Sequence, residues 1–150
     1  MQRALLTAKE SKQGADATPK FEHVSEHSIE CLVNEFYRRV RVDPTLAPIF
    51  DRAISEGDWG PHLATMRRFW SSVMLTSGRY KGNPVAKHLR LDGMEPVLFD
   101  HWLSLFGQTC CDLFVDELAN EFGIKARRIA ESLKLALFYR PDQPWPRSQP

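Results

Sequence analysis

Two histidines carry the first hint of chemistry in this chain. His88 closes the run Arg79-Tyr80-Lys81-Gly82-Asn83-Pro84-Val85-Ala86-Lys87-His88. There Asn83 reads as a helix cap and Pro84 as the first helical residue. The helix so started is only long enough to present one imidazole. His62 stands near the start of another helix, after Trp59-Gly60-Pro61. A phenol at Tyr37, beside Phe36, and an indole at Trp102 add polar tips to apolar helical faces. Two imidazoles and two donors around an apolar cavity suit haem: one histidine holds the iron and the other side of the ring is left for a ligand.

Taken singly, each residue has a plainer explanation. A histidine in the last turn of a short helix, as His88 is, favours the helix dipole without binding anything. His62, in a first turn, opposes the dipole and needs another reason to be there. A core tyrosine such as Tyr37 is commonly bonded to a backbone carbonyl, and Trp102 serves equally as packing. The four are harder to dismiss together. Each sits on the apolar face or terminus of its own helix, with Phe50, Met66, Phe69 and Trp70 between them as walls for a flat ring. Neutral imidazole at His88 also needs an acceptor for its second nitrogen, and the free carbonyl of Pro84 one turn back supplies it.

The elements that must hold these groups are helical throughout. Ile29, Leu32, Val33, Phe36, Tyr37 and Val40 recur at three and four, one apolar stripe that stops near Asp43-Pro44. Arg38, Arg39 and Arg41 fall off that stripe and read as a solvated face rather than an anion patch. A turn-rich passage through Pro48-Ile49-Phe50 follows. A second helix begins at Pro61, carries His62, Met66, Phe69 and Val73 on one side, and ends at Gly78. The short His88 helix closes around Asp92-Gly93. A long helix from Pro96 turns Phe99, Trp102, Leu103, Phe106, Cys110 and Leu113 inward. A last one after Gly123 does so with Ile129, Leu133, Ala136 and Leu137. No segment alternates, so the expected class is all-α.

The bulk numbers exclude several functions. At 150 residues the chain makes one domain. A net charge of +1, with both signs interspersed, gives no field to recruit nucleic acid or an anionic membrane. No apolar run approaches a bilayer span. The polar start carries no secretory signal, and its acidic residues argue against a transit peptide. Three cysteines, Cys31, Cys110 and Cys111, are odd in number with a strained vicinal pair, which fits a reducing cytoplasm rather than a disulfide framework. Residues 1–24 read as a mobile extension, 25–140 as the folded domain, and 141–150 as a Pro-rich tail. Nothing in the charge pattern demands a partner subunit, so a monomer is expected.

With these residues in place the sequence resembles the truncated haemoglobins, most closely group III, over residues 25–140. The resemblance rests on Phe36-Tyr37, Pro48-Ile49-Phe50, His62 with Phe69-Trp70, the Tyr80-to-Pro84 run leading to His88, and Trp102. The Gly-Gly turns of the other two groups are missing. It implies a 2-on-2 helical sandwich around haem b, with His88 as proximal iron ligand. Tyr37, His62 and Trp102 would line the distal side, and Phe50, Met66 and Phe69 would pack near the ring. Arg79, Tyr80 or Arg90 would meet the propionates, since charge-assisted bonds to carboxylates suit them. The implied ligands are O2, NO, CO or peroxide, with an external reductase; storage or sensing is the alternative to redox chemistry. One rival motif remains: His23-Val24-Ser25-Glu26-His27 matches H-x-x-E-H, which on a helix would set His23 and His27 on one face for zinc, with Glu26 as base.

Overall fold

The computed structural model describes residues 18–89, 91, 93–139 and 142. Most of the N-terminal extension, Arg90, Asp92 and, Asp142 apart, the tail lie outside the described residues. Helix α1 runs Glu26–Val42 and starts from a reciprocal cap: Ser25 Oγ accepts from Ser28 N–H, while Ser28 Oγ accepts from Ser25 N–H. All six residues of the predicted stripe, Ile29 to Val40, are buried. The helix stops because Asp43 turns extended and its carboxylate accepts the Thr45 and Leu46 N–H groups, at 2.9 Å each.

The passage expected as a turn is instead helix α2, Ala47–Ala53, with Pro48 in its first turn, where the missing N–H costs nothing. A 3-10 turn, Glu56–Asp58, leads into α3, Trp59–Leu75. This helix starts before Pro61 and ends three residues short of Gly78, since Thr76 takes the left-handed conformation with φ 51°. Helix α4 is Pro84–Leu89, and Asn83 Oδ1 accepts the Ala86 N–H as the cap predicted. Helix α5 is Pro96–Leu113 and α6 is Asp116–Phe138. The last helix begins seven residues before Gly123: Asp116 and Glu117 suit its positive end, and Ala119, Phe122 and Ala126 are buried on its flank. That burial outweighs the roughly 1 kcal/mol a helical glycine costs against alanine. Ala136, expected inward, is exposed; Leu133 and Leu137 take the core side.

Two pairs of helices form two layers. Helices α5 and α6 make a hairpin joined by Phe114 and Val115, α1 packs on α3, and α1 crosses α5 to join the pairs. Short α4 leans on α6 over a separate apolar cluster of Phe99, Ala130, Leu133 and Leu137. No strand occurs among the described residues. Phe21 makes one isolated bridge to Phe114, through its N–H to Leu113 O and its carbonyl to Val115 N–H. No described helix is long and apolar enough to cross a membrane. All three cysteines are free, and burial pushes the Cys110 thiol up to about 12.

The arginine face of α1 is an ion-pair seam. Glu35 binds Arg38 at 2.7 Å and Arg39 at 3.0 Å, and Arg39 reaches Asp112 on α5 at 2.7 Å. The Arg38 hydrogen bond holds the Glu35 carboxyl down to about 2, opposed by partial burial and helped by Arg39. A carboxyl depressed in the folded state stabilises above its unfolded value, 4.5, and that support is lost as pH falls toward 2. Glu35→Gln should therefore cost about 1 kcal/mol in urea unfolding at pH 7, because solvent screens this pair, and almost nothing near pH 2. Equal loss at both pH values would show that the charge is not the cause.

Candidate functional site

A cavity of about 530 Å³ lies between the two layers, within the range of small-molecule and cofactor sites. Its walls are chiefly apolar, among them Ile49, Phe50, Met66, Phe69, Leu98 and Ile129. Tyr37, His62, Tyr80, His88 and Trp102 all line it, so the fold gathers residues spread over 66 positions of sequence, from 37 to 102 (102 − 37 + 1). Arg79 is not at its wall: the guanidinium turns to Glu26, 3.7 Å away. Arg90 lies outside the described residues. The basic side chains that do line the cavity are Arg52 and Lys87, which the sequence reading missed.

His88 is positioned by its own helix. Its Nδ1 lies 2.7 Å from the Pro84 carbonyl. A carbonyl only accepts, so Nδ1 carries the proton and Nε2 keeps its lone pair free to coordinate. The ring also tilts against Phe99, 6.2 Å between centroids.

His62 is the opposite case. Its Nε2 is buried with no hydrogen-bond partner, an uncommon state for a buried polar atom. Burial, with a smaller contribution from the Lys87 charge, lowers its pKa from 6.5 to about 4, so the ring is neutral at pH 7. Tyr37 meets it edge-on at 5.0 Å and also touches Phe50 and Trp59. Burial pushes the Tyr37 phenol far above its ordinary value, so it remains a donor. The hydroxyl is not among the hydrogen-bonded groups of the described residues, and it borders the cavity.

Trp102 owes its place to a stack. Its ring lies parallel to Phe106 at 5.1 Å, Phe106 lies nearly parallel to Trp70 at 4.8 Å, and Phe36 meets both Trp102 and Phe106 edge-on. Contacts of this type are worth about 0.5–1.5 kcal/mol each beyond area, which fixes the indole without a hydrogen bond. Tyr80 is held by its N–H to Ser72 Oγ at 2.8 Å and by Phe69 edge-on at 5.1 Å. Its ring passes so close beneath Gly82 that a Cβ there would collide with it.

The zinc pattern fails on geometry. Helix α1 begins at Glu26 after the extended Ser25, so His23 lies outside it and does not share a helical face with His27. Among the described residues no three His, Cys, Asp or Glu side chains cluster to hold a metal.

No protein-family model matches the chain. It is 36% identical over 121 residues to the Group 3 truncated hemoglobin ctb of Campylobacter jejuni, spanning 79% of this chain and 95% of that protein. The crystal structure of a group III truncated hemoglobin from the same organism matches with a TM-score of 0.76 at 35% identity, covering 80% of this chain and 96% of that one. The two-layer helical packing is accordingly the truncated globin sandwich, and the chain belongs to the group III truncated haemoglobins.

Proposed function

We propose that the cavity holds haem b, with His88 Nε2 as the iron ligand, and that the protein binds dioxygen and other small diatomic ligands tightly in order to turn them over. The observation that carries this reading is the pair of imidazoles in one cavity. His88 has its Nδ1 tied back so that Nε2 is free, and His62 has a buried Nε2 without a partner. The apolar walls and the volume fit the same group. When bound, haem supplies an iron centre that takes O2, NO, CO or peroxide.

The chain's own residues do the rest. The Pro84 carbonyl fixes the His88 tautomer and raises the basicity of Nε2. Tyr37 and Trp102 offer an O–H and an N–H to a ligand that carries partial negative charge. Phe50, Met66 and Phe69 keep water out, which strengthens those bonds. Neutral His62 adds a group that can accept or donate as its tautomer allows. The same donors stabilise negative charge as it develops on a ligand, which favours redox chemistry on O2, NO or peroxide over storage. An external reductase would return the iron to the ferrous state. We place the protein in the cytoplasm as a monomer, on its free cysteines and interspersed charge. Arg52 and Lys87, the arginine and lysine of the cavity wall among the described residues, would meet the carboxylates of the cofactor, and Tyr80 lines the same cavity.

The deciding experiment is an absorbance scan of protein produced with ample haem. An intense Soret band is expected. A colourless protein that refuses added haem would overturn the assignment.

A further inference from the structure

A second hollow, about 450 Å³, opens on the outer side of α1 and the start of α3. Tyr37 is part of its wall and part of the central cavity's wall. Along α3 the division is equally thin: His62 faces the central cavity, while its neighbour Leu63 faces the outer groove. Trp59 completes the partition, 6.1 Å from the Tyr37 ring and 5.7 Å from the His62 ring. The two hollows are thus separated by a single layer of rings, closed at rest, with Tyr37 only 4% and Trp59 only 5% exposed.

Packing alone holds Trp59 from inside. From outside, the Arg41 guanidinium lies 4.6 Å over its ring and binds Glu56 at 2.8 Å. Glu56 is 91% exposed, so this clamp stands in solvent and is screened by salt. Trp59 itself is buried, so its rotation is rarer than the flips of exposed side chains, and loosening the outer clamp makes that rotation more frequent.

We propose that this groove is a second entrance to the central cavity for small uncharged molecules, with Trp59 as its door and the Arg41–Glu56 pair as its latch. The inference rests on the haem reading above. Tyr37 belongs to both walls, so a path from the groove past Trp59 meets the central cavity at that ring.

The test is bimolecular CO association with the haem-loaded protein after flash photolysis. Arg41→Ala should raise the rate about two- to fivefold, the factor that corresponds to losing an exposed cation–π contact. Glu56→Gln should raise it less. The wild-type rate should climb with salt, and that climb should vanish in Arg41→Ala. Leu63→Trp, which fills the groove, should lower the rate to about a third or less. The opposite signs separate a passage from general disturbance of the pocket. If Leu63→Trp does not fold, the two surface variants decide alone. Rates unchanged in every folded variant, with the Soret band intact, would overturn the entrance while leaving the cofactor assignment standing. A protein without a Soret band overturns the cofactor assignment instead. The groove is then judged by xenon-pressurised crystals of the protein as purified. Xenon beside Trp59 supports the passage, and none there overturns it.

Discussion

Replacing His88 by alanine should abolish stable haem retention: the ratio of Soret to protein absorbance should fall at least about tenfold after desalting, because losing the iron–imidazole bond raises the dissociation constant about tenfold for each 1.4 kcal/mol removed. The expectation follows from the single free Nε2 that the Pro84 carbonyl creates. His62 also lines the cavity, but its ring is held edge-on between Tyr37 and Trp59 and does not take the place of His88. Two controls separate ligation from folding. The α4 helix buries no residue fully and alanine is a better helix former than histidine, so far-UV circular dichroism should be unchanged. Added imidazole should restore the band, because the truncated side chain leaves space for it beside Phe99. A His88→Ala protein that keeps a native spectrum through desalting would exclude this residue as the ligand.

How far the site could be read without coordinates depended on what fixes each side chain. Tyr37 and Trp102 were legible because helical periodicity places them on buried stripes, and burial of one face is what makes those helices stable. The His88–Pro84 bond was legible because it spans one helical turn, and so was the Asn83 cap. Arg79 was not. It lies in a connection outside any helix, and its direction is set by Glu26, 53 positions upstream (79 − 26), a pairing no local pattern announces. Lys87 and Arg52 escaped notice for a related reason: long cationic side chains follow the surface the fold leaves them, with apolar stems along the wall and charged ends toward water. A single proline or glycine does not by itself mark a helix boundary in this chain. Pro48 starts a helix and Gly123 sits inside one, in each case because the flanking apolar residues find tertiary partners. The rings that separate the cavity from the outer groove could not be foreseen at all, since that partition exists only once α1 and α3 are packed.

Removing both distal donors should speed dioxygen release by about a hundredfold. Each bond to a partly charged ligand in a dry pocket is worth roughly 1–3 kcal/mol, and 1.4 kcal/mol is a factor of ten. Tyr37→Phe and Trp102→Phe should each raise the dissociation rate about tenfold, measured by stopped-flow displacement with CO. Tyr37→Phe removes one oxygen from a ring packed against Phe50, Trp59 and His62, so little else moves. Trp102→Phe is less clean, because it also thins the stack on Phe106; Trp70→Phe, on the other side of that ring, supplies the packing control. CO carries little charge, so its own dissociation should change far less than that of O2, and this contrast distinguishes hydrogen bonding from a pocket that has merely loosened. Unchanged O2 release in both single variants would remove the donors from the mechanism. With them would go the physical ground for preferring turnover to storage, for slow release is what makes a carrier poor and gives a bound ligand time to react.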